Sequence, residues 1–155
     1  MPKDKILIGI DPGTTTGLAV KNLSNRGVFL EILSGGILDM MDIVKKYKDQ
    51  ACLYLVFEDA RKRTWFSNKD REALQGAGSI KRDCAIWEEF CKKQGINFIS
   101  VPPAKGKTKY TADFFKRLTG WEGRTNEHSR DAAMLAFGFN AYNLKLHFRI
   151  NELEK

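Results

Sequence analysis

The fold is decided by a segment near the N-terminus, residues 6–17, whose sequence is ILIGIDPGTTTG. Its first half is almost continuously apolar, as is typical of a central strand covered on both faces, and it ends at Asp11. A proline and a glycine then indicate a tight turn. A second apolar run, residues 53–58 (LYLVFE), ends at Glu58 in the same way. The sequence therefore predicts two central strands, each with a carboxylate at its C-terminal end.

The remaining pattern predicts an α/β fold with a single domain over residues 1–155. Short connections after the first strand favour an antiparallel meander, and helical segments separate the later strands. Right-handed crossovers would make strands one, four and five parallel. The result is a mixed five-stranded sheet of order 3-2-1-4-5, with strand 2 antiparallel and helices on both faces. The predicted strands are 5–11, 16–21, 28–33, 52–58 and 96–101, and the predicted helices are 37–49, 72–93, 110–118 and 127–144.

Composition is that of an ordinary globular domain. The chain has 155 residues, 43% of them apolar, and no segment reaches membrane-spanning length. No secretory signal precedes the first strand, so we expect a cytoplasmic protein without a membrane partner. The three cysteines, Cys52, Cys84 and Cys91, lack metal-binding spacing, and we expect free thiols in the core.

The chain is also basic, with a formal net charge of +7. Such an excess favours a polyanionic partner, of which nucleic acid is the simplest, although a solvated basic surface would give the same composition. Much of the charge is clustered in residues 45–48, 61–63, 81–82 and 105–109.

The last predicted helix carries two further candidate ligands. His128, Asp131, Leu135, Gly138 and Tyr142 follow a helical spacing and share one face, so a Leu135 that faces the sheet predicts that the first two are buried there. Oxygen and imidazole donors from three elements suit hard divalent cations, and two cations about 3.5–4 Å apart suit phosphoryl chemistry. Each residue also has a simpler explanation: solvated carboxylates at strand ends, a histidine at a helix N-terminus, and an aspartate that complements the helix dipole.

Residues 8–17 (IGIDPGTTTG) resemble the opening motif of RuvC-type crossover junction endodeoxyribonucleases, which belong to the ribonuclease H-like superfamily. The resemblance continues in residues 56–58 (VFE), 76–78 (GAG) and 128–133 (HSRDAA). It also includes the segment with prolines and lysines after the fifth strand, and it extends to about residue 140. The order and spacing of these motifs are more specific than any one of them.

The resemblance implies a metal site formed by Asp11, Glu58, His128 and Asp131. Many family members have an aspartate where His128 stands. Two Mg²⁺ ions per site, with Mn²⁺ as a substitute, would hydrolyse phosphodiesters to 5′-phosphate and 3′-hydroxyl ends. The implied protein is a nucleoid-associated homodimer that resolves four-way (Holliday) junctions by paired symmetric incisions. Asp59 remains an alternative to Glu58, because adjacent strand residues face opposite ways.

Several basic and aromatic residues are candidate DNA contacts. The basic and aromatic loop after Glu58 could supply a stacking wedge that opens base pairs. The alternative is that its aromatic residues pack onto the core. The segment after the fifth strand resembles the family's basic segment near the scissile phosphate. The candidates are Arg61, Lys62, Arg63, Trp65, Phe66, Lys81, Arg82, Lys105, Lys107 and Lys109. On the long helix, Ile86 and Phe90 are expected either in a dimer contact or in additional core packing.

Other classes of protein share parts of this pattern. Residues 9–15 also resemble the first phosphate loop of actin-like sugar kinases, but those proteins enclose ATP between two such domains. Residues 106–108 imitate the end of a P-loop, but the position of its first glycine holds Val101. A less selective branched-DNA or RNA/DNA-hybrid nuclease and an inert nucleic-acid-binding module stay open, because substrate choice depends on loops and dimer geometry.

Overall fold

The computed structural model describes residues 3–63, 71–104 and 109–153. These residues form five strands and five helices, with a short 3-10 helix at Ala60–Lys62. The strands are β1 (Lys5–Asp11), β2 (Thr16–Asn22), β3 (Val28–Gly35), β4 (Cys52–Glu58) and β5 (Asn97–Val101). The helices are α1 (Ile37–Gln50), α2 (Arg71–Gln94), α3 (Ala112–Thr119), α4 (Glu127–Phe137) and α5 (Ala141–Leu153).

The strands form one mixed sheet in the order β3-β2-β1-β4-β5, as predicted. β1 runs antiparallel to β2 and parallel to β4, and β5 runs parallel to β4. In this register Ile10 is paired with Phe57, so β1 and β4 each end one residue later at a carboxylate. The sheet therefore brings the ends of its two central strands side by side.

Helices cover both faces of the sheet, so alternate residues of β1 pack into different cores. Ile8 and Ile10 pack with α1 and α2, where Trp87 is completely buried. Leu7 packs on the other face with residues of α4 and α5. α2 ends at Gly95, whose positive φ of 67° is the left-handed conformation expected at a helix stop.

Helix α4 lies unusually close to β1 and β2, and two glycines make this possible. A Cβ on Gly17 would overlap the backbone of His128, and one on Gly9 would overlap the carbonyl of Ala132. Gly17 is paired with Asp11 across the antiparallel ladder. The glycines of the opening motif thus place the first turn of α4 next to the end of β1.

The C-terminal end of α4 is held by a lysine from β2. Lys21 is only 7% exposed, and its Nζ donates to the carbonyl oxygens of Ala136 (3.2 Å), Phe137 (3.2 Å) and Phe139 (2.6 Å). A cation in this position offsets the helix dipole and binds carbonyls that have no partner within the helix. Burial lowers the pKa of Lys21.

The prediction of a single helix over 127–144 was wrong. α4 ends at Phe137, and α5 begins at Ala141 after a turn. Asn140 caps the new helix: its Oδ1 accepts from the backbone N–H of Asn143 at 2.9 Å, and Asn143 Oδ1 accepts from the Asn140 N–H at 2.7 Å. The two asparagines three residues apart were an N-cap signal in the sequence.

The predicted buried face of this region was also wrong. Tyr142 is 75% exposed, and Leu135 is only partly buried. The helix turns other residues toward the sheet, because small side chains must lie where it approaches the strand glycines. The buried residues of α4 are Ser129, Ala132, Ala133 and Ala136.

The structure bears on three further expectations. Cys84 and Cys91 are buried free thiols as predicted, but Cys52 is exposed. Phe90 packs edge-to-face on Trp87, with the ring centroids 5.6 Å apart, whereas Ile86 is 36% exposed. None of the described helices combines the length and apolarity needed to cross a membrane.

Replacing Gly17 with alanine is expected to lower the free energy of unfolding by about 3 kcal/mol, because the added methyl overlaps the backbone of α4. Urea unfolding followed by circular dichroism measures this change. Gly78→Ala is the matched control: Gly78 lies exposed in α2, nothing lies within 4 Å of an added Cβ, and helix propensity should add about 1 kcal/mol. A Gly17→Ala protein as stable as the wild type would contradict the close approach.

Candidate metal and nucleic-acid site

Asp11 and Glu58 lie on the same face of the sheet, at neighbouring strand ends. Their preceding residues, Ile10 and Phe57, are paired in register and both point into the core with α1 and α2. Because side chains alternate along a strand, the two carboxylates point to the opposite face, where α4 lies. Neighbouring strands are about 4.8 Å apart, so these carboxylates start from adjacent backbone positions.

His128 contacts Asp11 across the gap between α4 and β1. The distance from His128 Nδ1 to Asp11 Oδ2 is 3.2 Å. The Asp11 side chain is 18% exposed, whereas that of His128 is 50% exposed. The expectation of a buried histidine was therefore wrong, because α4 turns Ser129, Ala132, Ala133 and Ala136 inward instead. The imidazole is therefore accessible to a ligand from solvent.

A capping box fixes the helix turn that carries His128. Asn126 Oδ1 accepts from the Ser129 backbone N–H at 2.9 Å, and Ser129 Oγ accepts from the Asn126 N–H at 2.9 Å. The Asn126 side-chain amide also donates to Ser34 Oγ at 2.6 Å, at the end of β3. The start of α4 is thus anchored both to its own backbone and to the sheet, which orients His128.

Asp131 lies one turn further along α4 and is partly buried. The next residue, Ala132, is the one whose carbonyl lies over Gly9 in β1. Within the described parts of the chain, no three His, Cys, Asp or Glu side chains converge closely enough to hold a metal ion. The structure therefore brings Asp11 and His128 into contact and places Glu58 on their side of the sheet. The complete four-residue cluster stays a prediction.

Asp59 has a different role from Glu58. It is 1% exposed and accepts hydrogen bonds from the Arg61 backbone N–H at 3.0 Å and from its Nε and Nη2 at 2.8 Å each. Burial tends to raise the pKa of Asp59, but the hydrogen bonds from Arg61 outweigh it and hold the pKa below its usual range. Asp59 is thus bound to Arg61, while Glu58 is the residue that shares a face with Asp11.

Arg61 is an ion-pair partner as well as a predicted DNA contact. Besides Asp59, its Nη2 binds Glu88 Oε2 on α2, and these carboxylates raise the pKa of the guanidinium. Its charge is largely offset, so Arg61 is a weaker candidate for phosphate than the sequence suggested. Lys62 Nζ donates to the Ser100 carbonyl at 3.0 Å, and Arg63 is partly buried.

The other predicted DNA contacts lie on several elements. Lys81 and Arg82 are exposed on α2. Lys109 forms an ion pair with Glu127, the residue before His128. The predicted contacts Trp65, Phe66, Lys105 and Lys107 lie outside the described residues.

Arg130 is a positioning residue that the sequence did not single out. Its Nε donates to the Tyr110 carbonyl at 2.8 Å, and its Nη1 donates to Thr125 Oγ1 at 3.0 Å. These bonds hold the end of the basic segment, at Lys109, beside the first turn of α4. No local sequence signal announced this, because the partner is twenty residues away.

Comparisons with known proteins add no family assignment: no family model matches this sequence, and no curated protein matches it. The resemblance to RuvC-type nucleases thus rests on the motif residues themselves. What it implies for activity, metal and partners stays a prediction.

Asp59→Asn is expected to lower the free energy of unfolding by about 2 kcal/mol at neutral pH, because an amide does not offset the Arg61 charge. The folded-state pKa of Asp59 lies below the unfolded value near 3.8, so the stabilisation is present above that value and is lost as pH falls through the folded-state pKa. Urea titrations should therefore show the difference between wild type and variant shrinking below about pH 4.

The control for this experiment is Asp42→Asn, which removes the same charge from an exposed position on α1. It should leave stability within about 0.5 kcal/mol of the wild type. A difference for Asp59→Asn that does not change with pH would contradict the role given to its charge.

Proposed function

We propose that the protein is a metal-dependent nuclease of the ribonuclease H-like fold, and specifically a RuvC-type endonuclease that resolves four-way DNA junctions. One observation carries the proposal: Asp11, at the end of β1, contacts His128 of α4 at 3.2 Å, with Glu58 at the matching end of β4. The strand order and the helices on both faces also support it, because the resemblance implies that arrangement.

The chemistry of the donors fits Mg²⁺. Asp11, Glu58 and Asp131 offer carboxylate oxygens, which hard divalent cations prefer, and His128 offers an imidazole nitrogen. Coordination by three or more of them requires side-chain rotation, because among the described residues no such group converges. When bound, the metal would activate a water and stabilise the leaving 3′ oxygen.

The Asp11–His128 contact has a defined role in this proposal. A neutral imidazole that donates from Nδ1 to Asp11 Oδ2 keeps the lone pair on Nε2 for a cation. The capping box and the close approach at Gly17 limit rotation of the helix turn, so the imidazole is oriented before a ligand binds.

The surrounding charge supports a nucleic-acid substrate. The chain carries a net charge of +7, and Lys109 is held beside the first turn of α4. Cations beside these carboxylates attract phosphate without entering the metal site. The affinity for DNA should therefore fall as the salt concentration rises.

Paired incisions need two active sites, so the proposal includes a homodimer. The exposed Ile86 on α2 is the candidate contact between the two copies.

Asp11→Asn is expected to reduce cleavage at least about 100-fold, because the variant loses the negative charge that would bind the metal and that attracts His128. Binding of DNA should be retained or improve, because a negative group near the phosphates is removed. The assay incubates the protein with Mg²⁺ and labelled four-way, three-way, flap, linear and RNA/DNA-hybrid substrates, and maps the incision sites.

Asp42→Asn is the matched control and should cleave at the wild-type rate. If Asp11→Asn does the same, the site is misassigned. Symmetric incision of the four-way junction supports the specific proposal. Preferential cutting of hybrids, or cutting of every branched substrate, would favour a less selective nuclease. Binding without any incision would favour an inert nucleic-acid-binding module.

A further inference from the structure

A cavity lies at the other end of the sheet from Asp11. It has a volume of about 420 Å³ and is bordered by the first residues of β1 and β5 and by α5. Lys5 and Asp11 are six residues apart in β1, which corresponds to roughly 20 Å along the strand. The cavity is therefore a separate feature and shares no residue with the candidate metal site.

The polar lining of this cavity is cationic. Lys5, Lys145 and Arg149 border it, and among the side chains that the structure describes no carboxylate does. In the part of the chain that the structure describes, no ion pair joins these three side chains to an acidic residue. The Asp4 carboxylate nearby accepts a hydrogen bond from Asn22 at 3.2 Å. Three like charges around one cavity favour an anionic ligand.

The apolar lining adds aromatic surface. Tyr54 and Phe148 border the cavity with ring centroids 5.5 Å apart and planes tilted by 38°. Both rings are partly exposed, so each offers surface to a ligand. Asn97 adds an amide that can both donate and accept hydrogen bonds. Cations together with partly exposed aromatic rings are the combination that binds a phosphate and its base.

We propose that this cavity binds one nucleotide of a nucleic-acid strand, with the phosphate at Lys5, Lys145 and Arg149 and the base against Tyr54 and Phe148. Its volume lies within the range of small-molecule sites. A free nucleotide has the same chemistry, and the experiment distinguishes the two sources. This binding does not depend on the metal site or on hydrolysis.

The chain has a built-in probe beside the cavity. Cys52 is exposed, it is paired with Lys5 in the sheet, and its Sγ lies 3.8 Å from the Tyr54 hydroxyl. The other two cysteines are buried, and burial raises the pKa of both, that of Cys91 to about 12. A thiol reagent should therefore modify Cys52 first, and the modification rate reports whether the cavity is occupied.

The experiment measures the rate of maleimide labelling of Cys52 with inorganic phosphate, thymidine 5′-monophosphate or a short oligothymidylate. The Asp11→Asn protein is used alongside the wild type to prevent cleavage. We expect the oligothymidylate to slow labelling about tenfold at ten times its Kd. Protection by the mononucleotide as well shows that a free nucleotide suffices, whereas protection by the oligonucleotide alone indicates a strand. Equal protection in both proteins separates this site from the nuclease proposal.

Charge-reversed variants supply the second measurement. Lys145→Glu and Arg149→Glu change exposed residues, so they should abolish the protection of Cys52 by nucleotide without altering thermal unfolding. In the control variant Lys46→Glu, on α1, Cys52 should be protected as in the wild type. The proposal is overturned by any of three results: no protection by either thymidine 5′-monophosphate or the oligothymidylate at millimolar concentration, unchanged protection in Lys145→Glu, or equal protection by inorganic phosphate. Labelling that slows with protein concentration alone would indicate a second copy in the cavity, and would also overturn it.

Discussion

The close approach of α4 to the two strands beneath it is the constraint on which the rest of the structure depends. Gly9 and Gly17 leave room for the helix backbone, and any side chain at either position would overlap it. The helix in turn presents small residues, so that Ala132, Ala133 and Ala136 fill the contact. This contact sets the position of His128 relative to Asp11, because the overlap at Gly17 is with the backbone of His128 itself.

Both ends of α4 are fixed by groups from the sheet. Asn126 caps the start and bonds to Ser34 at the end of β3, while Lys21 binds the carbonyls at the other end. A helix held at both ends and packed along its length has little freedom to slide or rotate. The orientation of His128 thus depends on interactions spread over the whole helix, and Arg130 extends the same support to the basic segment at Lys109.

Electrostatics divides the acidic residues into two groups. Asp59 is buried and binds the partly exposed Arg61 at the junction between β4 and α2, where Glu88 also binds the guanidinium. Asp11 and Glu58 lie on the opposite face, beside α4 and near Lys109. Although Glu58 and Asp59 are consecutive, the strand pleat directs them to different surroundings. Asp59 therefore stabilises the fold, while Glu58 remains part of the proposed metal site. The cationic cavity lies on the same face of the sheet as Glu58, at its other end.

The sequence predicted the antiparallel meander, the parallel strands, the helices on both faces and the carboxylate at each central strand end. These features follow from apolar periodicity, short connections and the right-handed rule for crossovers. It also contained an N-cap signal at Asn140 for the start of α5, but the continuing helical spacing led to the prediction of one helix over 127–144. Only the folded structure shows that Glu58, and not Asp59, shares a face with Asp11, and that His128 is exposed and Lys21 buried. The same is true of Arg61, which is an ion-pair partner of Asp59 and Glu88. These outcomes depend on contacts between residues distant in the chain, such as Lys21 with Phe139 and Arg130 with Tyr110, and no local pattern encodes them.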